Sequence, residues 1–343
     1  MEKVKLNVTG ATMYSDYSTN DSGYATASNN LYNQLYEAGY DVQRLSQEAQ
    51  INISFAVPQH HIMLANAYNV LYSAHETTEL CERWANCLNK GDEIWATSSW
   101  IADVYRKKVN KPVYVVPHGV SGKFIPAKRK LQDGKFIFLH LGEPYIRKGG
   151  QVTVEAFIEE FGNNPDVLLL IKSYPQGHTI RVPDENGKQV APEMLYNNIK
   201  VIRDSLSFSD YLKVLHNTHC LVYPSWGEGF GMMPLECMAS GMPVISSWEW
   251  AEYKDDIKHR IESDLVPVPT QIPGYLKESY LGNIYMPRKD SIRKLMREVY
   301  ENYEEEFQES AVKAVKIHKE WNWEDVIAKY ALPRLKEIEG KIK

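Results

Sequence analysis

Two glutamates, Glu228 and Glu236, flank a glycine-rich loop that leads into a predicted helix. The loop contains Gly227, Gly229 and Gly231, which permit a tight turn and a close approach of the backbone to a ligand. Free N–H groups at a helix start bind phosphate, and the two oxygens of a carboxylate fit a pair of neighbouring sugar hydroxyls. The spacing therefore predicts a nucleotide-sugar site, although a glycine turn before a short helix is also common as a purely structural feature.

The elements around this loop form a unit of strand, loop, helix and strand. An apolar run at residues 221–223 predicts a buried strand, and residues 242–246 predict the next one. Pro234 suits the first turn of the intervening helix, and Gly241 suits the position just after its end. Strands and helices alternate along the whole chain in two series, separated by a polar, basic linker after Gly122. This alternation predicts parallel sheets that are covered by helices on both faces.

The first series contains predicted strands at residues 4–8, 62–65, 69–74, 93–97 and 113–116, and predicted helices at residues 25–38, 76–88 and 99–109. The second series contains predicted strands at residues 136–141, 167–172 and 199–202, and predicted helices at residues 151–161 and 207–215. Residues 175–198 are rich in turn formers and predict an insertion with one helical turn. The tail from residue 291 to 343 is predicted to be mostly helical, with the acidic run 301–309 as a solvated helix face.

Length and composition favour an ordinary globular protein of two domains. The chain has 343 residues, 43% of them hydrophobic and 24% charged, and its formal net charge is -5. This balance does not favour nucleic acid as a partner. No apolar stretch approaches the ~20 residues that span a bilayer, and the first residues lack the apolar core of a signal peptide. The sequence has four cysteines without C-x-x-C pairing: Cys81, Cys87, Cys220 and Cys237. We therefore expect reduced thiols and a cytoplasmic protein.

Several ordered motifs resemble those of the retaining glycosyltransferases of family 4. E-G-F-G-M-M-P-L-E is similar to the family's E-x7-E signature, L-G-E-P-Y-I-R-K-G to its G-R-x4-K-G loop, and V-P-H-G-V-S to its V-P-N-G-V-D linker. D-S-G-Y-A resembles its N-terminal glycine loop, Y-S-A-H-E its strand ending in histidine, and W-N-W-E its last helix. The resemblance implies the α/β GT-B architecture, in which two doubly wound, Rossmann-like domains face one another across a cleft. We therefore expect a short acceptor-side domain at residues 1–122, a nucleotide-sugar domain at residues 123–320, and a helix at residues 321–343 that crosses back to the first domain.

The resemblance also implies roles for individual residues. Glu236 is expected to hold the ribose hydroxyls and Glu228 the hydroxyls of the transferred sugar. Lys148 is expected to neutralise the diphosphate, Gly23 to approach it from the other domain, and His75 to lie beside the sugar. His75, Glu228 and Lys148 are thus the expected catalytic residues. Backbone N–H groups of the loop and helix start are expected to contact the diphosphate: Gly229, Phe230, Gly231, Met232 and Met233.

The implied reaction is metal-independent transfer with retention, from a UDP-linked hexose or pentose to an acceptor hydroxyl, with the departing phosphate as base. Fixed positive charge and helix-start dipoles stabilise the charge that develops on the leaving group, so no metal cofactor is expected. The sequence has no D-x-D motif, and the pair His60 and His61 lacks further ligands at a suitable spacing. We therefore interpret these two histidines as surface or packing residues.

Three departures from the family pattern leave alternatives open. The loop arginine is replaced by Glu143, so that either Arg147 supplies the positive charge or the donor binds differently. The linker asparagine and aspartate are replaced by His118 and Ser121. The first domain is short, which favours an open acceptor site that admits a large acceptor.

Other functions remain possible at this point. A catalytically silent nucleotide-sugar-binding protein is one alternative, and the replacement at Glu143 allows it. A sugar phosphorylase of similar architecture would need a cofactor lysine in a long second domain, which the sequence does not show. A modified nucleic acid as acceptor is disfavoured by the acidic balance. The oligomeric state, the sugar and the acceptor are not predicted.

Overall fold

The computed structural model describes residues 4–10, 23–44, 46–131, 133–142, 146–173, 180–269 and 280–342. The dominant features of these residues are two six-stranded sheets, and every strand pairing within each of them is parallel. Helices follow the strands in both halves of the chain. The predicted α/β class with two Rossmann-like domains is confirmed.

The first domain begins with a parallel sheet in the order β2-β1-β3-β4-β6-β7. The short β5 stays outside this sheet. The strands and helices of this domain are β1 (Lys5–Gly10), α1 (Gly23–Glu37), β2 (Asp41–Gln43), β3 (Ile51–Phe55), β4 (Tyr68–Ser73), β5 (Glu79–Leu80), α2 (Glu82–Leu88), β6 (Glu93–Ala96), α3 (Ser99–Arg106) and β7 (Val113–Val115).

The sequence analysis missed β3 and wrongly predicted a strand at residues 62–65. All five residues of β3 are buried, but Asn52 and Ser54 interrupt its apolar run. Their side chains, together with that of Asn69, bond the backbone of residues 62–64: Asn52 Nδ2 donates to Ile62 O at 2.7 Å, and Ile62 N donates to Ser54 Oγ at 3.1 Å. Side chains therefore satisfy the backbone groups that a strand ladder would otherwise occupy. The predicted helix at 76–88 likewise begins only at Glu82, after β5.

The second domain contains the other parallel sheet, in the order β12-β9-β8-β13-β14-β15. Its elements are β8 (Phe136–Leu141), α4 (Gly150–Phe161), β9 (Val167–Lys172), β10 (Val182–Pro183), β11 (Gln189–Val190), β12 (Ile199–Ile202), α5 (Phe208–Asn217), β13 (Cys220–Tyr223), α6 (Met232–Ala239), β14 (Val244–Ser246), β15 (His259–Arg260), β16 (Ser263–Pro267), β17 (Tyr280–Leu281), β18 (Asn283–Pro287), α7 (Lys289–Glu301) and α8 (Tyr303–Glu320). The chain runs from β8 outward through β9 and β12, then returns to β13 on the other side of β8. Strand order thus reverses between β8 and β13, which is where open α/β sheets bind ligands.

The end of the chain packs against the first domain. After α9 (Trp323–Val326), a π-helical segment (Ile327–Ala331) leads into α10 (Leu332–Ile342). Their buried side chains join the core that covers β1 and β3. Arg334 is 4% exposed and donates from Nη2 to Glu93 Oε2 at 2.6 Å, where Glu93 is fully buried. This pair fixes α10 to β6. Among the residues that the structure describes, no helix combines the length and the apolar character that a membrane crossing requires.

The sequence predicts the acidic run at 301–309 as a solvated helix face, but one of its carboxylates is buried. Glu306 is 4% exposed, and its Oε2 lies 2.8 Å from His259 Nε2. Its Oε1 accepts from Lys258 Nζ at 2.7 Å. The helix therefore turns one of its carboxylates toward β15, because a buried carboxylate is tolerated when charged partners satisfy it.

The linker between the domains is held by a buried arginine. Arg129 is 8% exposed and donates to oxygen atoms at and just after the C-terminal ends of α5 and α6. Its Nη1 bonds Leu215 O at 2.7 Å, and its Nε bonds Gly241 O at 3.0 Å. The carbonyl ends of helices carry partial negative charge, so one guanidinium joins the linker to two helices.

Replacing Arg129 by methionine should destabilise the second domain, because several buried carbonyl groups lose their donor. We expect a loss of about 3 kcal/mol in the free energy of unfolding, measured by urea denaturation. The neighbouring, exposed Lys128 provides the control, and Lys128→Met should leave the transition unchanged. Equal effects of the two substitutions would show that the bonds of Arg129 do not stabilise the linker.

Candidate functional site

Two loops meet where the strand order of the second sheet reverses. The first follows β8 and includes the 3₁₀ turn Ile146–Lys148, and the second runs from β13 to α6. Gly149 has a φ of 73°, and a side chain there would overlap the carbonyl group of Pro224. Trp226 N also donates to Arg147 O at 2.8 Å. The lack of a side chain at Gly149 therefore lets the loops pack backbone against backbone.

Glu228 is the centre of the site. Its side chain is 8% exposed, and its Oε1 accepts from Lys148 Nζ at 2.7 Å, Tyr223 Oη at 2.9 Å and Ser225 Oγ at 2.6 Å. Its Oε2 lies 3.4 Å from Arg147 Nη1. Two cations and two hydroxyls thus surround one buried carboxylate. The structure brings together three of the predicted site residues here: Arg147, Lys148 and Glu228.

These charges set the ionisation of the cluster. Burial alone would raise the pKa of Glu228, but Lys148 and Arg147 outweigh that effect and hold the pKa at about 2. Burial is the largest influence on Lys148 and lowers its pKa, although the charge of Glu228 acts in the opposite direction. For Arg147, the attraction of Glu228 overcomes burial and raises the pKa. Glu228 is therefore a carboxylate throughout the physiological pH range.

Glu236 lies apart from this cluster, on α6. It is half-buried, and its Oε2 accepts a hydrogen bond from Tyr211 Oη at 3.0 Å. Burial raises the pKa of Glu236 to about 7, and the bond from Tyr211 acts against this rise. Tyr211 was not predicted, because it belongs to α5 and no motif connects that helix to the glutamate. The two predicted carboxylates therefore differ: Glu228 accepts three hydrogen bonds, all on Oε1, whereas Glu236 accepts a single hydrogen bond among the described residues.

Gly227 and Gly229 of the loop make a contact with the first domain that was not predicted from the sequence. Neither Gly227 nor Gly229 has a positive φ. A side chain at Gly227 would overlap the carbonyl oxygen of Glu76, and one at Gly229 would overlap the methyl group of Ala74. Thr97 Oγ1 also donates to Gly229 O. These glycines therefore allow the first domain to pack against the loop, and we call this contact the interdomain seam.

Gly231 alone of the three adopts a left-handed backbone, with a φ of 76°, as the residue before α6. Tyr253 Oη donates to Gly231 O, which fixes this turn. Phe230 packs with its ring centroid 5.0 Å from that of His118. His118 is 4% exposed, and neither ring nitrogen has a hydrogen-bond partner among the described residues. The residue that replaces the family's linker asparagine thus packs as an aromatic ring.

The remaining predicted residues lie around these groups. A side chain at Gly23 would lie 3.4 Å from Met232 Cε, so the start of α1 faces the start of α6. Met233 is partly buried against the core of the second domain. His75 is fully buried, and its Nε2 lies 3.0 Å from Glu79 O and from Thr77 Oγ1, while its Nδ1 has no partner within the described ranges. Its side chain therefore makes no hydrogen bond to the Glu228 cluster in the described part of the chain.

The remaining residues singled out from the sequence are those that depart from the family pattern and the pair of histidines. Glu143, which replaces the loop arginine, lies outside the described residues. Arg147, the residue expected to supply the positive charge instead, lies in the Glu228 cluster. Ser121 Oγ accepts from Lys123 N at 3.3 Å within the linker. His61 lies 3.3 Å from Ser54 Oγ through its Nδ1, and burial lowers its pKa to about 3, whereas His60 is exposed. In the described ranges, no group of three or more His, Cys, Asp or Glu side chains could hold a metal ion.

Ser225 and Tyr223 were also missed, although both lie within five residues of Glu228. A buried carboxylate requires nearby donors, and this requirement alone could have identified Ser225. The hydroxyl of Tyr223 could not be identified in this way, because the residue reads as the last apolar position of a buried strand.

Comparison with known proteins places the loops within a recognised domain. Residues 122–262 match the family model described as Glycosyl transferases group 1. The lipopolysaccharide core biosynthesis mannosyltransferase LpsB of Rhizobium meliloti (strain 1021) is 26% identical over 174 residues, which cover 48% of this chain and 48% of LpsB. A putative glycosyltransferase 45 of Sulfolobus islandicus filamentous virus is 23% identical over 174 residues, covering 48% of this chain and 45% of that protein. This chain thus spans about half the length of the curated relatives it matches.

Similarity of fold extends over the whole chain. The crystal structure of Anabaena Alr3699/HepE in complex with UDP and glucose aligns with a TM-score of 0.65 at 10% sequence identity, covering 98% of this chain and 100% of that one. At this identity the similarity concerns the fold alone. The chain therefore has the two-domain GT-B fold, and its second domain resembles the group 1 glycosyl transferases.

The interdomain seam can be tested by exchanging one methyl group between the domains. Gly229→Ala should destabilise the protein by about 1–3 kcal/mol, because the new methyl overlaps that of Ala74. The double variant Ala74→Gly/Gly229→Ala should recover most of this loss. Urea denaturation of the wild type, both single variants and the double variant measures the coupling. Additive effects of the two substitutions would mean that the domains do not meet at this seam.

The raised pKa of Glu236 predicts a stability effect that depends on pH. The pKa of about 7 in the folded protein lies above the ordinary value of 4.5 for a glutamate. As the pH rises between these values, the unfolded chain loses its proton first, so the wild type loses stability. Glu236→Gln should therefore gain in melting temperature relative to the wild type between pH 5 and pH 8.

The exposed Glu185 provides the control, since Glu185→Gln should show no such trend. A difference between Glu236→Gln and wild type that is the same at both pH values would contradict the raised pKa.

Proposed function

We propose that this protein is a retaining, metal-independent glycosyltransferase that moves a hexose or pentose from a UDP-linked sugar to an acceptor hydroxyl. The observation that carries the proposal is the cluster of Arg147, Lys148 and Glu228 at the reversal of strand order, next to the start of α6. The match to group 1 glycosyl transferases and the UDP bound in the HepE structure support the same activity.

The geometry suits a diphosphate leaving group. The first N–H groups of α6 have no partner within the helix and carry partial positive charge. Lys148 and Arg147 add two fixed cations from the neighbouring loop. When the bond between sugar and phosphate breaks, negative charge grows on the diphosphate, and prearranged positive groups stabilise it in a partly dry site. This arrangement supplies the stabilisation that a metal ion supplies in other transferases.

Glu228 can stabilise the positive charge that develops on the sugar ring. The sugar ring becomes cation-like as the bond breaks, and Glu228 stays ionised because its pKa is about 2. Glu228 also neutralises Lys148, whose Nζ lies 2.7 Å from Glu228 Oε1. An incoming diphosphate would share Lys148 with Glu228, so that Lys148 keeps an anionic partner when the donor binds. The retained configuration follows if the acceptor attacks from the face that the diphosphate leaves, with the phosphate as base.

Glu236 and Tyr211 suit the nucleoside. A carboxylate accepts bonds from two neighbouring hydroxyls, and Glu236 has this capacity because Tyr211 is its one described donor. We assign the ribose diol to Glu236, with Tyr211 as the residue that orients it.

Lys148→Met and Glu236→Gln test this function. A panel of UDP-, GDP- and ADP-sugars is followed by released nucleotide, with and without candidate acceptors, and calorimetry measures UDP binding. The loss of Lys148 should lower turnover by about 10²–10³-fold through lost charge stabilisation, and the loss of Glu236 should weaken UDP binding. Lys200→Met, an exposed lysine of β12, is the control and should retain activity.

Wild-type turnover should be unchanged by EDTA, and the product should keep the anomeric configuration of the donor. Full activity in both site variants would contradict the assignment. UDP binding without any transfer or hydrolysis would favour the catalytically silent nucleotide-sugar-binding protein instead.

A further inference from the structure

A hairpin arm of the second domain reaches the first domain beside the candidate site. The arm consists of β16 and β18, which pair antiparallel, and of β17, which pairs with β5 of the first domain. Thr78 N donates to Asn283 O at 3.0 Å, and Asn283 N donates to Thr78 Oγ1 at 2.7 Å. Tyr285 N also donates to Trp226 O at 3.0 Å, in the loop that holds Glu228. The arm is therefore attached to both sides of the site.

This attachment brings Tyr280 to the predicted site residues. Tyr280 is the first residue of β17, and its ring centroid lies 6.5 Å from that of His75. Its phenol group interacts with the carboxylate of Glu76 and lies within the electrostatic reach of Arg147 and Glu228. The following residue, Leu281, is 38% exposed, as expected from the alternation of a strand. Tyr280 thus lies on the less exposed side of β17, next to His75 and within the electrostatic influence of the Glu228 cluster.

Glu76 approaches this space from the first domain. Its backbone carbonyl packs against Gly227 at the interdomain seam, one residue from Glu228. Its charge acts on Arg147 and Lys148, and its side chain is half-buried. The two cations form ion pairs with Glu228 of the second domain, and Glu76 of the first domain adds a second negative charge near them.

The two carboxylates differ in the bonds that they still can accept. A carboxylate has about four lone-pair sites. Three donors already occupy Oε1 of Glu228, and Arg147 lies beside its Oε2. Glu228 therefore keeps its free acceptor capacity on Oε2, beside Arg147. The phenol of Tyr280 donates to Glu76, and the remaining lone pairs of the Glu76 carboxylate and of the phenol oxygen can accept hydrogen bonds from hydroxyl groups.

We propose that Glu76 and Tyr280 form a polar wall, contributed by opposite domains, that hydrogen-bonds hydroxyl groups of the transferred sugar and selects which sugar is accepted. This inference rests on the proposed function, because it assumes that the diphosphate occupies Arg147, Lys148 and the start of α6. Glu228 then holds the cations and faces the reacting carbon, while the wall recognises the ring substituents. Tyr280 belongs to no motif of the sequence, and Glu76 ends the Y-S-A-H-E motif without a role expected for it.

The test separates the sugar from the nucleotide. Calorimetry compares UDP with UDP-glucose, UDP-galactose and UDP-N-acetylglucosamine for wild type, Glu76→Gln and Tyr280→Phe. The ratio of the Kd of UDP to that of the best-bound donor should fall about tenfold in each variant, because a hydrogen bond to the sugar is lost. UDP alone should bind Glu76→Gln at least as tightly as wild type, since a negative charge near the diphosphate has been removed.

Tyr285→Phe is the matched control, because Tyr285 belongs to the same arm and packs its ring 6.3 Å from that of Trp100. This variant should keep the wild-type ratio. Monodeoxy analogues of the best-bound donor provide a second measurement: one of them should bind wild type about as weakly as the parent donor binds the variants, and the variants should lose no further affinity for it.

Each outcome distinguishes the two hypotheses. A ratio that stays unchanged in both variants, or that falls only because UDP itself binds more tightly while the Kd of the donor is unchanged, would overturn the wall and leave the proposed function intact. Failure of wild type to bind UDP or any of the three donors would overturn the proposed function, and the wall with it.

Discussion

The site depends on the burial of one carboxylate between two loops. Glu228 is ionised in a nearly dry position, so it requires donors and opposite charge from its surroundings. Lys148 and Arg147 supply the charge from the loop after β8, and Ser225 and Tyr223 supply hydroxyls from its own loop and strand. Removal of any partner would leave this buried charge less satisfied. The same ion pairs hold Lys148 and Arg147 at the place where a diphosphate would meet them.

Contacts between the domains complete the site from the other side. At the interdomain seam the backbone of residues 74–76 packs against Gly227 and Gly229, which have no side chains to separate the domains. The hairpin arm adds a second attachment through β17 and β5, and α10 adds a third through the buried pair of Arg334 and Glu93. These contacts keep residues from both domains around one space, as a donor that bridges two domains requires.

Periodicity and apolar runs predicted much of the fold. The strands at residues 136–141, 167–172 and 199–202 match the prediction residue by residue, since they are apolar runs bounded by turn formers. β3 could not be recognised in this way, because the roles of Asn52 and Ser54 depend on partners distant in the sequence. For the same reason motifs led to Glu228 and Lys148 but not to Tyr211 or Tyr280, and they gave no sign that Gly227 and Gly229 accommodate the other domain.

The central claim is that the Glu228 cluster and the start of α6 form the diphosphate site. A crystal structure of the protein with UDP bound tests it most directly. We predict diphosphate oxygens within about 3 Å of Lys148 Nζ and of the backbone N–H groups of Met232 and Met233, with the ribose hydroxyls on Glu236. A nucleotide bound elsewhere, or a diphosphate that contacts neither Lys148 nor α6, would contradict the account.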